Sequence, residues 1–353
     1  MSEPEVLVER RGCAGLLVLN RPKALNALTL GMVRTIAAAL DEWERDETIA
    51  RVVATGAGGR AFCAGGDIRL LYEQGRAGDH AAQLAFWREE YRLDRRIKRY
   101  SKPFVALADG VVMGGGVGLS AHGARLVAGE GLSFAMPEVG IGFFPDVGAT
   151  YLLPRLPHRM GVYLALTGTK AGAGDALALG LAQAVVPSAR IDELAAALAD
   201  RQPIDSIVAQ FALPAVASPL VAQSALIENC FGFSTLTQIV AALGAAAGAG
   251  SAFAKAAQEA MLTKSPTSQA IALRQMEMGR ALSFEEAMIL EFRIVSRICR
   301  GHDFYEGVRA VIIDKDNRPR WRPAAVDAVS KAAVDAYFAP LGDSDLVFAA
   351  VDR

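Results

Sequence analysis

Residues 104–108 and 113–118 read Phe104-Val105-Ala106-Leu107-Ala108 and Met113-Gly114-Gly115-Gly116-Val117-Gly118, an apolar run followed closely by a glycine cluster. The first stretch reads as a buried strand, and Gly114 to His122 as a helix opened by glycines. Glycines at that turn let the main chain approach a ligand without side-chain obstruction. The unbonded N–H groups and positive dipole end of the helix suit an oxygen that gains negative charge. Further on come Met136-Pro137-Glu138 and Phe144-Pro145-Asp146. Carboxylates in an apolar loop punctuated by Gly and Pro have perturbed proton affinity and serve as base, acid or nucleophile, unless they are ordinary surface carboxylates.

Upstream, the same alternation repeats. Val6–Glu9 and Leu16–Leu19 read as short strands, and Thr29 caps a helix through Trp43 with Met32, Ile36, Ala39, Leu40 and Trp43 at helical spacing. Arg51–Thr55 reads as a strand. It runs into a second glycine loop, Cys63-Ala64-Gly65-Gly66-Asp67, with Asp67 placed to cap the helix from Ile68. This loop is a second source of a backbone donor, or simply a tight turn. The His80–Tyr100 helix closes before Lys102-Pro103, because the residue before proline disfavours the helical region.

Ala124–Ala128 and Leu132–Ala135 read as extended. Short strands alternating with helices to about residue 187 indicate an α/β layer architecture, and helices dominate afterwards. Ser265-Pro266 marks one helix start, and Ser283 with Glu286 and Asp303 with Glu306 form capping-box patterns. The helix after Ser283 carries a broad apolar stripe. Leu243–Gly250, rich in Ala and Gly, reads as a linker or loop.

With 353 residues, 52% hydrophobic and 21% charged, the chain has enough apolar material for one large domain with an appendage, or for two domains. A net charge of -1 lacks the basicity of a nucleic-acid binder. The run Arg92, Arg95, Arg96, Lys98, Arg99 reads as a solvated helix face, with contact to an anionic ligand or a neighbouring subunit as the alternative. The four cysteines are far apart, without a C-x-x-C pair, which argues against a structural disulfide or zinc site. Cys63, with no adjoining His, reads as an inert thiol. No segment is a membrane-span candidate, and the start Met1-Ser2-Glu3-Pro4-Glu5 is acidic where a targeting leader is basic, so a cytoplasmic location is expected. Gly116-Val117-Gly118-Leu119-Ser120-Ala121 also matches a dinucleotide-binding fingerprint. That reading is set aside because no acidic residue ends a clean following strand and the glycine run starts two residues early.

Several long motifs, in order, resemble the crotonase (enoyl-CoA hydratase/isomerase) superfamily, and within it the branch of 3-hydroxyisobutyryl-CoA hydrolases. They are residues 19–28, Ala61–Ile68, Phe86–Tyr91, Met113–Ser120, Phe134–Gly148 and Gly301–Ala310. The resemblance implies an α/β fold: a crotonase-like spiral of β-β-α units over residues 1–200 carrying the thioester site, and a mostly helical C-terminal region over 201–353. It implies Gly66 and Gly115 as the two backbone donors of an oxyanion hole. Lys23, Ala24 and Leu25 with Ala64, Gly65, Gly66, Asp67 and Ile68 would bind coenzyme A. Glu138 and Asp146 would be catalytic, and Glu90, Gly115, Glu138 and Asp146 would contact the substrate.

Water-adding members of the superfamily carry a glutamate where this chain has Gly118, so hydration loses one of its two carboxylates. The expected reaction is hydrolysis of a short 3-hydroxyacyl-CoA thioester, 3-hydroxyisobutyryl-CoA above others, in valine degradation. The alternative is an enoyl-CoA hydratase or isomerase, and a catalytically silent acyl-CoA-binding subunit is a third reading. No metal and no separate cofactor are expected, coenzyme A being part of the substrate. The expected partner is a small acyl-CoA, with no nucleic acid or membrane. Self-association is also implied, in an order left open.

Overall fold

A computed structural model describes residues 3–348; Met1 and Ser2 of the acidic start lie outside them. The chain forms two compact units. The first takes residues up to Asp67, Arg92–Ala135 and Lys170–Ala222, and the second takes Ile68–Tyr91, Met136–Thr169 and residues from Gln223 onward. Each is therefore assembled from separated stretches, unlike a contiguous 1–200 and 201–353 division.

Among the described residues, ten strands lie in the first unit: β1 (Val6–Arg11), β2 (Ala14–Leu19), β3 (Arg51–Gly56), β4 (Ala61–Cys63), β5 (Phe104–Ala108), β6 (Val111–Met113), β7 (Arg125–Gly129), β8 (Ser133–Ala135), β9 (Ala171–Gly172) and β10 (Ala184–Val186). The larger sheet has the order β1-β2-β3-β5-β7-β10 and the smaller β4-β6-β8-β9. β1 and β2 form an antiparallel hairpin, and the remaining pairs of the larger sheet are parallel. Each consecutive pair β3/β4, β5/β6 and β7/β8 sends one strand to each sheet, which is the repeating step of the spiral.

The central strands β3 and β5 are buried at nearly every position, as parallel strands covered on both faces must be. Leu16, Val53, Val105, Leu107 and Val127 from the larger sheet pack with Ile191, Leu194, Leu198, Ile207 and Phe211 in one core. The helix Leu30–Arg45 buries Met32, Val33, Ile36, Ala39, Leu40 and Trp43, and the Thr29 side chain accepts the Met32 N–H.

The second unit is helical. Helix Pro266–Gly279 starts at the Ser265 cap, and helix Phe284–Ile298 at a capping box of Ser283 and Glu286. Two readings are corrected. Leu243–Gly250 is no linker: helix Leu236–Gly248 takes in all but its last two residues, since alanine is the strongest helix former and outweighs the scattered glycines. Asp303 and Glu306 form no capping box, because the cap is Gly301; Asp303 instead accepts from the Ser265 hydroxyl and the Arg322 N–H, while Glu306 pairs with Arg309. Tertiary partners outcompete the local bond. Among the described residues, no helix is long and apolar enough to cross a membrane.

Candidate active site

In the first unit, the segment 21–28 and the second glycine loop are laced together through their backbones. Ala64 N–H donates to Leu25 (3.0 Å), Leu28 N–H to Gly65 (2.8 Å) and Asp67 N–H to Leu28 (2.8 Å). The buried Asn26 holds the segment from beneath, accepting the Arg21 N–H and donating to the Ala57 and Ala61 carbonyls. Lys23 and Ala24 sit in the short turn Pro22–Ala24, and Leu25 takes a left-handed conformation (φ 50°). Arg21 donates to Asp67, which ties that carboxylate to the 20s segment. Ile68 begins the helix Ile68–Arg76 of the second unit.

Leu28 and Gly66 form an isolated parallel bridge in which Leu28 makes both bonds to the residues flanking Gly66. In that geometry the N–H of Gly66 itself turns to the opposite side of the ribbon. Gly115 opens the helix Gly115–Ala121, after Gly114 at φ 47°, so its N–H has no intrahelical acceptor. The two glycine loops touch. A Cβ on Gly65 would lie 3.4 Å from the Met113 carbonyl oxygen, 3.6 Å from Gly114 Cα and 3.7 Å from the Gly115 nitrogen. Gly65 also has φ +105°, a region that side chains rarely adopt.

The second unit gathers acids. Glu90, Glu138, Asp146 and Glu291 are all buried there. Asp146 is the hub. Tyr91 Oη donates to its Oδ2 at 2.8 Å, and its charge raises the proton affinity of Glu90, Glu138 and Glu291. For all four acids the largest cause of the upward shift is burial, which penalises the charged form. Asp146 rises to about 7 and Glu291 to about 8, and Glu138 and Glu90 stand well above the carboxylate range. Tyr91 is pushed up as well, first by burial and then by Asp146, so it stays a donor.

Glu138 Oε2 and Glu90 Oε1 are buried without a hydrogen-bond partner. Leaving a buried carboxyl oxygen unmatched costs about 1–3 kcal/mol or more, a cost tolerated where a substrate supplies the missing partner. Glu138 opens a short turn, Glu138–Ile141, after Pro137 and just past β8. Beneath this loop Phe143 stacks on Trp87 (5.5 Å between centroids) and contacts Phe304 (5.7 Å), an aromatic base that holds the carboxylate loop in place. Among the described residues no group of three His, Cys, Asp or Glu side chains is arranged to hold a metal ion. The four cysteines are buried free thiols.

Sequence reasoning missed Tyr91, Gln275 and Glu291 as site residues. Glu291 carried a signal: it stands alone within Met288-Ile289-Leu290-Glu291-Phe292, where an unmatched charge would not be buried. Tyr91 and Gln275 carried none, because their role lies in contacts made only on folding.

The fold and these residues define a crotonase-type protein. Residues 14–338 match the enoyl-CoA hydratase/isomerase family model, and the chain belongs to that family. It is 46% identical to the 3-hydroxyisobutyryl-CoA hydrolase, mitochondrial, of Danio rerio, over 97% of this chain and 91% of the relative. The protein of the same name from Xenopus tropicalis is 44% identical over 98% of this chain and 91% of the relative. A solved structure described as a carnitinyl-CoA dehydratase from Mycobacterium thermoresistibile superposes with a TM-score of 0.93 at 43% identity, covering 98% of this chain and 99% of the other. The mitochondrial names of the relatives overturn the cytoplasmic expectation. An acidic start was a poor guide, since a compartment address is carried by a removable leader and not by the folded body.

Proposed function

We propose that this chain hydrolyses 3-hydroxyisobutyryl-CoA to 3-hydroxyisobutyrate and coenzyme A. The reading is supported by relatives of that name at 44–46% identity over nearly the whole chain. The observation that carries the chemistry is the buried Glu138, with Oε2 unpartnered and its proton affinity raised. A carboxylate of raised proton affinity is a better base near neutral pH.

In this mechanism the Gly66 and Gly115 amides hold the thioester oxygen. Glu138 takes a proton from water as the water oxygen bonds to the carbonyl carbon. The tetrahedral oxyanion then collapses, the carbon–sulfur bond breaks, and the proton passes to the leaving thiolate. Each amide of this kind is worth about 2.7–4 kcal/mol of barrier lowering. Asp146 orients the substrate hydroxyl and manages a proton, and Glu90 lies against the acyl group. Lys23, Ala24, Leu25 and the 64–68 loop receive the coenzyme A portion, which enters as substrate, with no further cofactor.

Direct attack by Glu138 would instead form a mixed anhydride. A single turnover in labelled water separates the routes: label in the Glu138 side chain supports attack, and label in the product alone supports base catalysis. We place the reaction in valine degradation, because the isobutyryl skeleton is that of the amino acid's branched end. Self-association is likewise proposed from the family, and light scattering that reads a single chain of 37.3 kDa would refute it.

The rival is addition or removal of water at an enoyl-CoA; the mycobacterial structure is named as a dehydratase of a CoA ester. Free-thiol release from 3-hydroxyisobutyryl-CoA, followed beside loss of enoyl absorbance from a short enoyl-CoA, decides between them. Ready enoyl turnover with no thiol release above background would reverse the proposal.

A further inference from the structure

The turn that follows Asp146 is strained and then clamped. Val147 has φ 52°, a conformation that is a genuine outlier for a β-branched residue, and Gly148 follows at φ 87°. Backbone of this kind persists only where its surroundings over-determine it. Glu291, fully buried on the helix Phe284–Ile298, supplies that restraint: its Oε2 accepts the Gly148 N–H and its Oε1 the Thr150 N–H, both at 2.8 Å. The buried Gln275 adds a second hold, donating Nε2 to the Pro145 carbonyl (2.9 Å) and to the Thr150 hydroxyl (2.7 Å). The peptide before Asp146 is thus gripped by Gln275, and the Gly148 and Thr150 amides after it by Glu291, each from a distant helix.

We infer that Glu291 is a positioning residue for the hydrolysis: its carboxylate pins the 146–150 turn and thereby aims Asp146. The inference rests on the role proposed for Asp146 above. Once ionised, the Glu291 carboxyl offers two acceptor oxygens to two diverging N–H groups, and both bonds favour that ionised form against the burial that raises its proton affinity. A glutamine at the same place offers one acceptor and sets its own N–H₂ against the other amide. The loss falls on the aim of Asp146, and misplacement of about 1 Å in a catalytic group costs roughly 100-fold in rate.

The test uses the full chain. In the native protein, hydrogen exchange should show the Gly148 and Thr150 amides strongly protected; exchange as fast as an open loop overturns the inference without recourse to any variant. Glu291→Gln should exchange faster over residues 145–150 and lose about 10- to 100-fold in kcat for 3-hydroxyisobutyryl-CoA, with KM moving less than about threefold. Glu291→Asp, which keeps both acceptors on a shorter stem, should fall between. A purely structural role predicts otherwise: a lower unfolding temperature with kcat per folded molecule unchanged, and that result sinks the inference. Asp146→Asn, measured alongside, separates the two claims. If it retains full turnover the reaction reading fails, while the exchange data still report on the clamp.

Discussion

The Asp94 carboxylate stands where a side chain at residue 118 would have to grow: a Cβ on Gly118 would lie 2.5 Å from Asp94 Oδ1 and 3.0 Å from Oδ2. Asp94 is fully buried, and both residues belong to the first unit. The glycine is therefore more than an absent glutamate, since the helix Gly115–Ala121 and Asp94 fit only without a side chain there. Overpacking a core by one carbon costs about 1–3 kcal/mol. Gly118→Ala should lower the unfolding temperature by that measure, and the loss should shrink when Asp94→Ser is added, a coupling a double-mutant cycle reads directly. Gly118→Glu alone should give no hydratase. Gain of enoyl-CoA hydration by that single change would show the space to be open.

Glu138→Gln and Asp146→Asn keep the size of each side chain and remove its acid–base function. Loss of a positioned general base or acid lowers turnover by about 10²–10⁴-fold. Free-thiol release from 3-hydroxyisobutyryl-CoA, on protein whose circular dichroism matches the native chain, measures the effect. Unchanged thioester cleavage in both variants would remove the catalytic role from this acid cluster and favour a binding subunit.

Much of the fold is legible in the chain because its signals are local. β5 is an unbroken apolar run and β3 has an apolar centre in Val52–Ala54, Thr29, Ser265 and Ser283 announce the helices they cap, and the glycine loops mark close backbone approach. Legibility fails where a residue is decided by what folding brings beside it. Asp303 matches a cap in sequence but finds Ser265 and Arg322 in space, and Leu243–Gly248 is helical because alanine outvotes glycine. In the site, Glu138 and Asp146 could be picked out by their loop. The hydroxyl of Tyr91, the grip of Glu291 and the position of Asp94 against Gly118 depend on partners distant in sequence.

Tyr91→Phe tests the wiring of Asp146. The Tyr91 hydroxyl favours ionised Asp146 and so opposes the upward push of burial. Removing it leaves the carboxyl with a still higher proton affinity. If ionised Asp146 is the form that orients the substrate, the acid limb of the kcat profile moves to higher pH. The variant should lose more activity at pH 6 than at pH 8. A profile that scales down evenly at every pH would mean that Tyr91 only fills space.

Asp146→Asn should also change stability, with a sign set by linkage. The carboxyl rises from 3.8 in its ordinary state to about 7 in the fold, chiefly through burial. Between those values the folded chain holds a proton that the unfolded chain has released, so native stability is fullest below 3.8 and drains away as pH rises through about 7. Asparagine cannot ionise, yet its amide oxygen still accepts from Tyr91 Oη. The variant should therefore match the native chain in unfolding temperature near pH 4, exceed it increasingly up to pH 7, and hold a constant advantage above. Glu90, Glu138 and Glu291 share the proton load, so the plateau is on the order of a few kcal/mol and below the full value of an isolated shift. Thermal unfolding of both proteins at half-unit steps from pH 4 to pH 8.5 measures it. A difference that stays flat across that range would mean that Asp146 is charged in the fold at all of them, and the buried-acid account of the site would fail with it.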